Sequence, residues 1–156
     1  MGNHIGLNDD YTKQITEHLN LLLASSQQFY MNVRGYHWNV TGEHFFELHV
    51  KFEELYNELI LQIDEIAERI LTLGKTPLHT YADYAEISVI EQTKDVTGGK
   101  DCVKQILAGF DQLLGLERKI LSAASEEGDE GTVDQMTGYI SAQEKHVWMY
   151  SAFLGK

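Results

Sequence analysis

Nine apolar residues, Phe45, Leu48, Phe52, Leu55, Leu59, Ile63, Ile66, Ile70 and Leu73, follow one another in steps of three and four. That spacing puts all nine on a single stripe of one long helix. Such a stripe must be covered by other helices, because tertiary packing rather than propensity holds most protein helices together. Three further runs of the same kind supply the cover. The first is Ile15, Leu19, Leu22, Ser26, Phe29, Val33 and Tyr36. Another is Val103, Ile106, Phe110, Leu113, Ile120 and Ala124, with Glu117 in one seam position. The last is Met136, Ile140, Gln143, Val147, Tyr150 and Leu154, and Trp148 is expected in the core beside it.

The ends of the helices can be read from their punctuation. Asn8, Asp9 and Asp10 suit the start of the first, which should stop near Trp38 or Asn39. Thr41 is expected to cap the second, and Gly74 with Pro77 to close it. Thr132 and Gln135 predict a capping box for the fourth. The connections are short, long and short: a Thr41-Gly42 break, residues 75–98, and the acidic turn 126–131. Within the long one, Asp83 to Gln92 reads as a short helix. Short links make antiparallel neighbours, and the long crossover lets the third helix run parallel to the second. The expected fold is therefore all-α: a ferritin-like four-helix bundle with a short extra helix in the crossover between helices 2 and 3. Residues 1–156 read as one domain, with 1–8 as a short N-terminal tail.

Composition narrows the function. The longest purely apolar run, Leu21 to Ala24, falls far below the ~18 residues of a membrane span. The N-terminus lacks a basic region followed by an apolar core, and a lone Cys102 fits a reducing compartment, so a cytoplasmic location is expected. Asp and Glu number 24 against 12 Lys and Arg, a net charge of −12, which argues against nucleic acid and favours cations as partners.

Between His37 and Arg69 lie four ligand-type residues for a divalent metal: His37, His49, Asp64 and Glu68. Asp64 and Glu68 stand four apart and share a helix face. His49 and Asp64 are 15 positions apart, roughly 22 Å along one straight helix at ~1.5 Å per residue. No single ion spans that distance. Either the histidines and carboxylates are unrelated, or a second copy of the chain completes the site. None of the seven histidines has Glu three residues before it, so the usual di-iron centre inside one bundle is not expected.

The segments His37-Trp38-Asn39-Val40-Thr41-Gly42, Phe46-Glu47-Leu48-His49 and Asp64-Glu65-Ile66-Ala67-Glu68-Arg69 resemble the Dps family, the miniferritins. Lys145-His146-Val147-Trp148-Met149-Tyr150 and the terminal Phe153-Leu154-Gly155-Lys156 are similar to its bacterial members. The resemblance implies a hollow homo-dodecamer that oxidises Fe(II), preferably with hydrogen peroxide, and stores the ferric mineral. It implies iron at a two-fold interface, with His37 and His49 from one subunit facing Asp64 and Glu68 of its partner. Glu53 would reach such a site only from the His49 side, and Trp38 could intercept oxidising equivalents beside it. Asp129, Glu130 and Asp134 would line an acidic pore for incoming cations. The DNA compaction for which the family is named depends on lysine-rich tails where it occurs, and here the first 12 residues contain no Lys or Arg. DNA binding is therefore not expected. Taken singly, each residue also has a structural reading: packing or capping for the histidines and Trp38, a solvated face for the carboxylates.

Overall fold

The computed structural model describes residues 3–156, and among these it contains five helices and no strand. Helix α1 spans Asp9–Asn39, α2 Phe45–Thr72, α3 Tyr81–Ile87, α4 Gly99–Glu126 and α5 Glu130–Phe153. The four long helices bury the stripes expected from the periodicity, and their apolar residues form one continuous core. Helix α1 lies against α2, α4 and α3, and α4 lies against α5. Where α1 and α4 approach closely, a Cβ on Gly109 would collide with the Phe29 ring, which also meets Phe110 edge-on at 5.2 Å. Of the expected tail, residues 1 and 2 lie outside the described residues. Asn3 is bonded to the Leu7 carbonyl at 2.7 Å, just ahead of the Asn8 cap.

Four local expectations are corrected. Thr41 does not cap α2. Its N–H is taken by the Thr97 carbonyl at 2.9 Å, and Gly42, at φ +105°, turns the chain so that His44 precedes the helix without a side-chain cap. The Thr41 bond and a bridge to Gly98 tie the α1–α2 turn to the start of α4. The Thr132–Gln135 box does not form, because α5 begins earlier: the Asp129 carboxylate accepts from the Thr132 N–H at 3.1 Å. The short helix starts at Tyr81 behind a Thr80 cap and stops at Ile87 rather than continuing to Gln92. Beyond it, the Asn32 side chain accepts from Thr93 N–H and donates to Glu91 C=O. Ser25 Oγ likewise accepts from Val89 N–H, so α1 side chains replace the helical bonds this stretch would otherwise make. Finally, Trp148 is not in the core but 66% exposed. It neighbours Val147 on α5, and one residue turns a helical side chain by about 100°.

Candidate metal centre

His37 sits in the last turn of α1 and His49 in the second turn of α2, brought together by the tight 40–44 connection. Each ring is held by the other residue's backbone. His37 Nδ1 bonds the His49 carbonyl at 2.6 Å, and His49 Nδ1 bonds the His37 carbonyl at 2.8 Å. A carbonyl oxygen only accepts, so both Nδ1 atoms carry the proton. In the neutral rings each Nε2 is therefore the lone-pair nitrogen, the form in which imidazole binds a metal. The rings stack at 3.8 Å with 14° between their planes. Phe45 stacks on His49 at 5.1 Å, and Tyr56 meets His37 edge-on at 5.3 Å. His37 is buried and His49 half-buried.

Asp64 and Glu68 lie farther along α2 on the opposite side from its core stripe, both exposed. Their inward neighbours fix that orientation. Glu65 accepts from Tyr139 Oη at 2.8 Å, while Arg69 donates to Asp129 at 2.6 Å and to Thr132 at 2.9 Å. With residues 65 and 69 turned towards α5, residues 64 and 68 face away from the bundle. Among the described residues, no three of His, Cys, Asp and Glu come together as a metal cluster. The two histidines come together, the two carboxylates lie apart from them on the outer side of α2, and one chain does not join the pairs.

Exposed apolar residues stand among and beside those pairs, out of phase with the buried stripe. Phe46, Val50, Leu61 and Leu71 are 82%, 51%, 65% and 58% exposed. With Glu53, Asn57, Asp64 and Glu68 they form one stripe in steps of three and four, on the side of α2 opposite the core. The signal was present as apolar residues out of phase with the buried stripe.

Glu53 lies on this outer stripe, exposed, one turn after His49. Trp38 is 56% exposed, with the Arg34 guanidinium over its ring at 4.8 Å. Arg34 and Tyr56 were not singled out from sequence, because their meeting requires α1 and α2 to be packed. The three acidic residues assigned to a pore divide. Glu130 and Asp134 are exposed in the first turns of α5. Asp129 is 2% exposed and is fully occupied inside the chain, accepting from Tyr11 Oη at 2.8 Å, from Thr132 Oγ1 at 2.6 Å and from Arg69. Burial pushes its carboxyl up, but the Thr132 and Tyr11 hydrogen bonds and the Arg69 charge together hold it below the usual carboxylate range. A carboxylate so engaged is a structural cap, not a free pore ligand.

The profile of the ferritin-like domain matches residues 16–156. A DNA protection during starvation protein of Porphyromonas gingivalis is 38% identical over 97% of the chain and 95% of that protein. The chain belongs to the Dps family. Another relative, a protein of Haemophilus influenzae without an assigned function, is 49% identical over 95% of the chain and 92% of its own length. The crystal structure of a Dps protein from Vibrio cholerae O1 superposes with a TM-score of 0.95 at 49% identity, covering 96% of this chain and 94% of that one. That protein is described as a member of the superfamily of ferritin-like diiron-carboxylate proteins. Among the described residues of this Dps chain, no helix is long and apolar enough to cross a membrane.

Proposed function

We propose that the chain is a ferroxidase and iron-storage protein of the Dps family. In this reading its metal centre is assembled between two copies, with His37 and His49 of one facing Asp64 and Glu68 of the other. The observation that carries the reading is the mutual locking of the two histidines, which leaves one lone-pair nitrogen on each of two stacked rings and gives both rings fixed orientations. Exposed carboxylates on the same helix, too distant to join them, complete the chemistry only from a second chain.

The outer stripe of α2 supports such an arrangement. If two α2 helices cross antiparallel about an axis near Asn57, Val50 meets Asp64 and Phe46 meets Glu68, while Glu53 meets Leu61. His49 then falls beside the partner's carboxylate pair. The contact is isologous and makes two equivalent centres per dimer. Glu53, one turn from His49, is the additional carboxylate placed to join each centre. Twelve such subunits closing into a shell would confine the product as mineral, in a cytoplasmic protein that removes iron and peroxide together.

Fe(II) is the substrate. The histidines, as neutral donors, and the carboxylates, as anionic ones, form a mixed N/O set suited to a first-row divalent cation. Hydrogen peroxide takes one electron from each of two Fe(II) and, with two protons, leaves as water, so no hydroxyl radical is released. The rings are already fixed before metal arrives, which lowers the ordering cost of binding. Glu130 and Asp134, exposed where α5 begins, are proposed to line the cation entrance, and Asp129 to hold the turn that presents them.

The test is anaerobic Fe(II) oxidation followed by absorbance, with electron microscopy of the product. Hydrogen peroxide should oxidise Fe(II) much faster than air does, and electron-dense cores should fill the particles. Oxidation no faster than in protein-free buffer, with no cores, would overturn the reading.

A further inference from the structure

Arg34 is spent on aromatic rings. Although acidic residues outnumber basic ones 24 to 12, among the described residues it forms no ion pair. Its guanidinium lies 4.8 Å from the Trp38 ring centroid and 5.5 Å from each of Tyr30 and Tyr56. One Nη donates to Tyr30 Oη at 3.3 Å, and Nε is buried without a partner. Tyr56 in turn meets His37 edge-on, so the cation stands one ring away from the histidine pair. The other tryptophan, Trp148, is of similar exposure and has no cation over its ring among the described residues.

We propose that Arg34 is a redox shield, a fixed positive charge that makes Trp38, Tyr30 and Tyr56 harder to oxidise, contrary to the expectation that Trp38 intercepts oxidising equivalents. A cation at a ring face is attracted to the neutral π system. Removing one electron turns the ring positive, and attraction becomes repulsion. The state after electron loss is therefore raised in energy relative to the state before it. Indole and phenol are the most easily oxidised of the rings around Arg34, and one of them, Tyr56, meets His37 directly. The usefulness of a shield here rests on the metal-centre reading, since peroxide would then react beside these rings. The shield itself does not rest on it, and its test needs no iron.

The assembled, iron-free protein is exposed to azide radical made by pulse radiolysis. The radical takes one electron from indole and becomes azide ion. The indole radical cation gives its N–H proton to water. The neutral radical combines with superoxide, made by the same pulse from dissolved dioxygen, and one proton to give a hydroperoxide counted as oxygenated peptide by mass spectrometry. Trp148 serves as the internal standard. In Arg34→Gln the Trp38:Trp148 oxidation ratio should rise about fivefold over wild type, equivalent to about 1 kcal/mol at ~1.36 kcal/mol per factor of ten. Arg34→Met, neutral and of similar length, should do the same and replaces Gln if that variant does not assemble. Arg34→Lys, which keeps the charge, should return the ratio towards wild type. An unchanged ratio in the neutral variants would overturn the shield. So would a rise in Arg34→Lys equal to theirs, because the effect would then be access rather than charge.

Discussion

At the scale of single residues, the decisive contacts are those in which a side chain meets the backbone or side chain of another helix. The identities of His37 and His49 and their separation were legible in the sequence as candidate ligands. Their proton positions were not, because each Nδ1 is fixed by a carbonyl that only the α1–α2 packing brings near. Asp129 shows the opposite. Its neighbours Glu126, Glu127 and Glu130 make the segment read as a solvated acidic turn, yet Tyr11 and Arg69 from two other helices converge on it. Glu117 was visible as an acid in one apolar seam and Gln143 as a polar residue in another, but not their pairing. In the structure both are buried, and the amide donates to the carboxyl at 2.6 Å. Burial pushes the Glu117 carboxyl up from 4.5 to about 8 despite the opposing Gln143 bond. The folded chain therefore keeps a proton that the unfolded chain releases above pH 4.5. The stability tied to that proton is complete below the lower value and is lost as pH rises towards the upper one, by up to about 1.4 kcal/mol per pH unit. Unfolding measured between pH 5 and pH 8 should show this slope in the wild type, and Glu117→Gln should flatten it. Equal slopes in the two proteins would show that Glu117 is already ionised when folded.

At the scale of elements, the four long helices were legible because 28 to 31 residues of strict periodicity outweigh any local ambiguity in helices α1, α2 and α4, and 24 in α5. Caps and short helices were less so. Thr41 and Thr132 both have the chemistry of an N-cap, but Thr41 is claimed by the α4 approach and Thr132 by Asp129. The outer stripe of α2 was not legible because its four apolar residues are interspersed with Glu53, Asn57, Asp64 and Glu68, which make that side read as solvated. For α5, the proposal that its first turns form a cation entrance makes a kinetic prediction. Glu130→Gln with Asp134→Asn should slow Fe(II) uptake several-fold at low ionic strength, since an acidic opening concentrates cations. The deficit should shrink as salt is added, because screening acts over about 10 Å at 0.1 M. Uptake equal to wild type at low salt would return both residues to an ordinary solvated surface.

At the scale of the whole molecule, the surplus of acid governs what the protein meets. With a net charge of −12, binding to duplex DNA at physiological salt and neutral pH should be negligible, although relatives carry names that refer to DNA protection. A clear gel shift there without added divalent metal would contradict that reading of the surface. The separation between His49 and Asp64 is a whole-molecule question too, since the proposed centre needs a second copy to close it. The most direct measurement mixes His37→Ala/His49→Ala chains with Asp64→Ala/Glu68→Ala chains after reversible dissociation and follows Fe(II) oxidation. Each variant alone has both of its centres damaged. A mixed dimer has one centre with all four ligands and one with none. With random pairing about half the dimers are mixed, so activity should return on mixing to about a quarter of wild type. If mixed dimers are shown to form and activity stays at the level of the separate variants, the ligands are not shared between chains and the proposed centre is wrong.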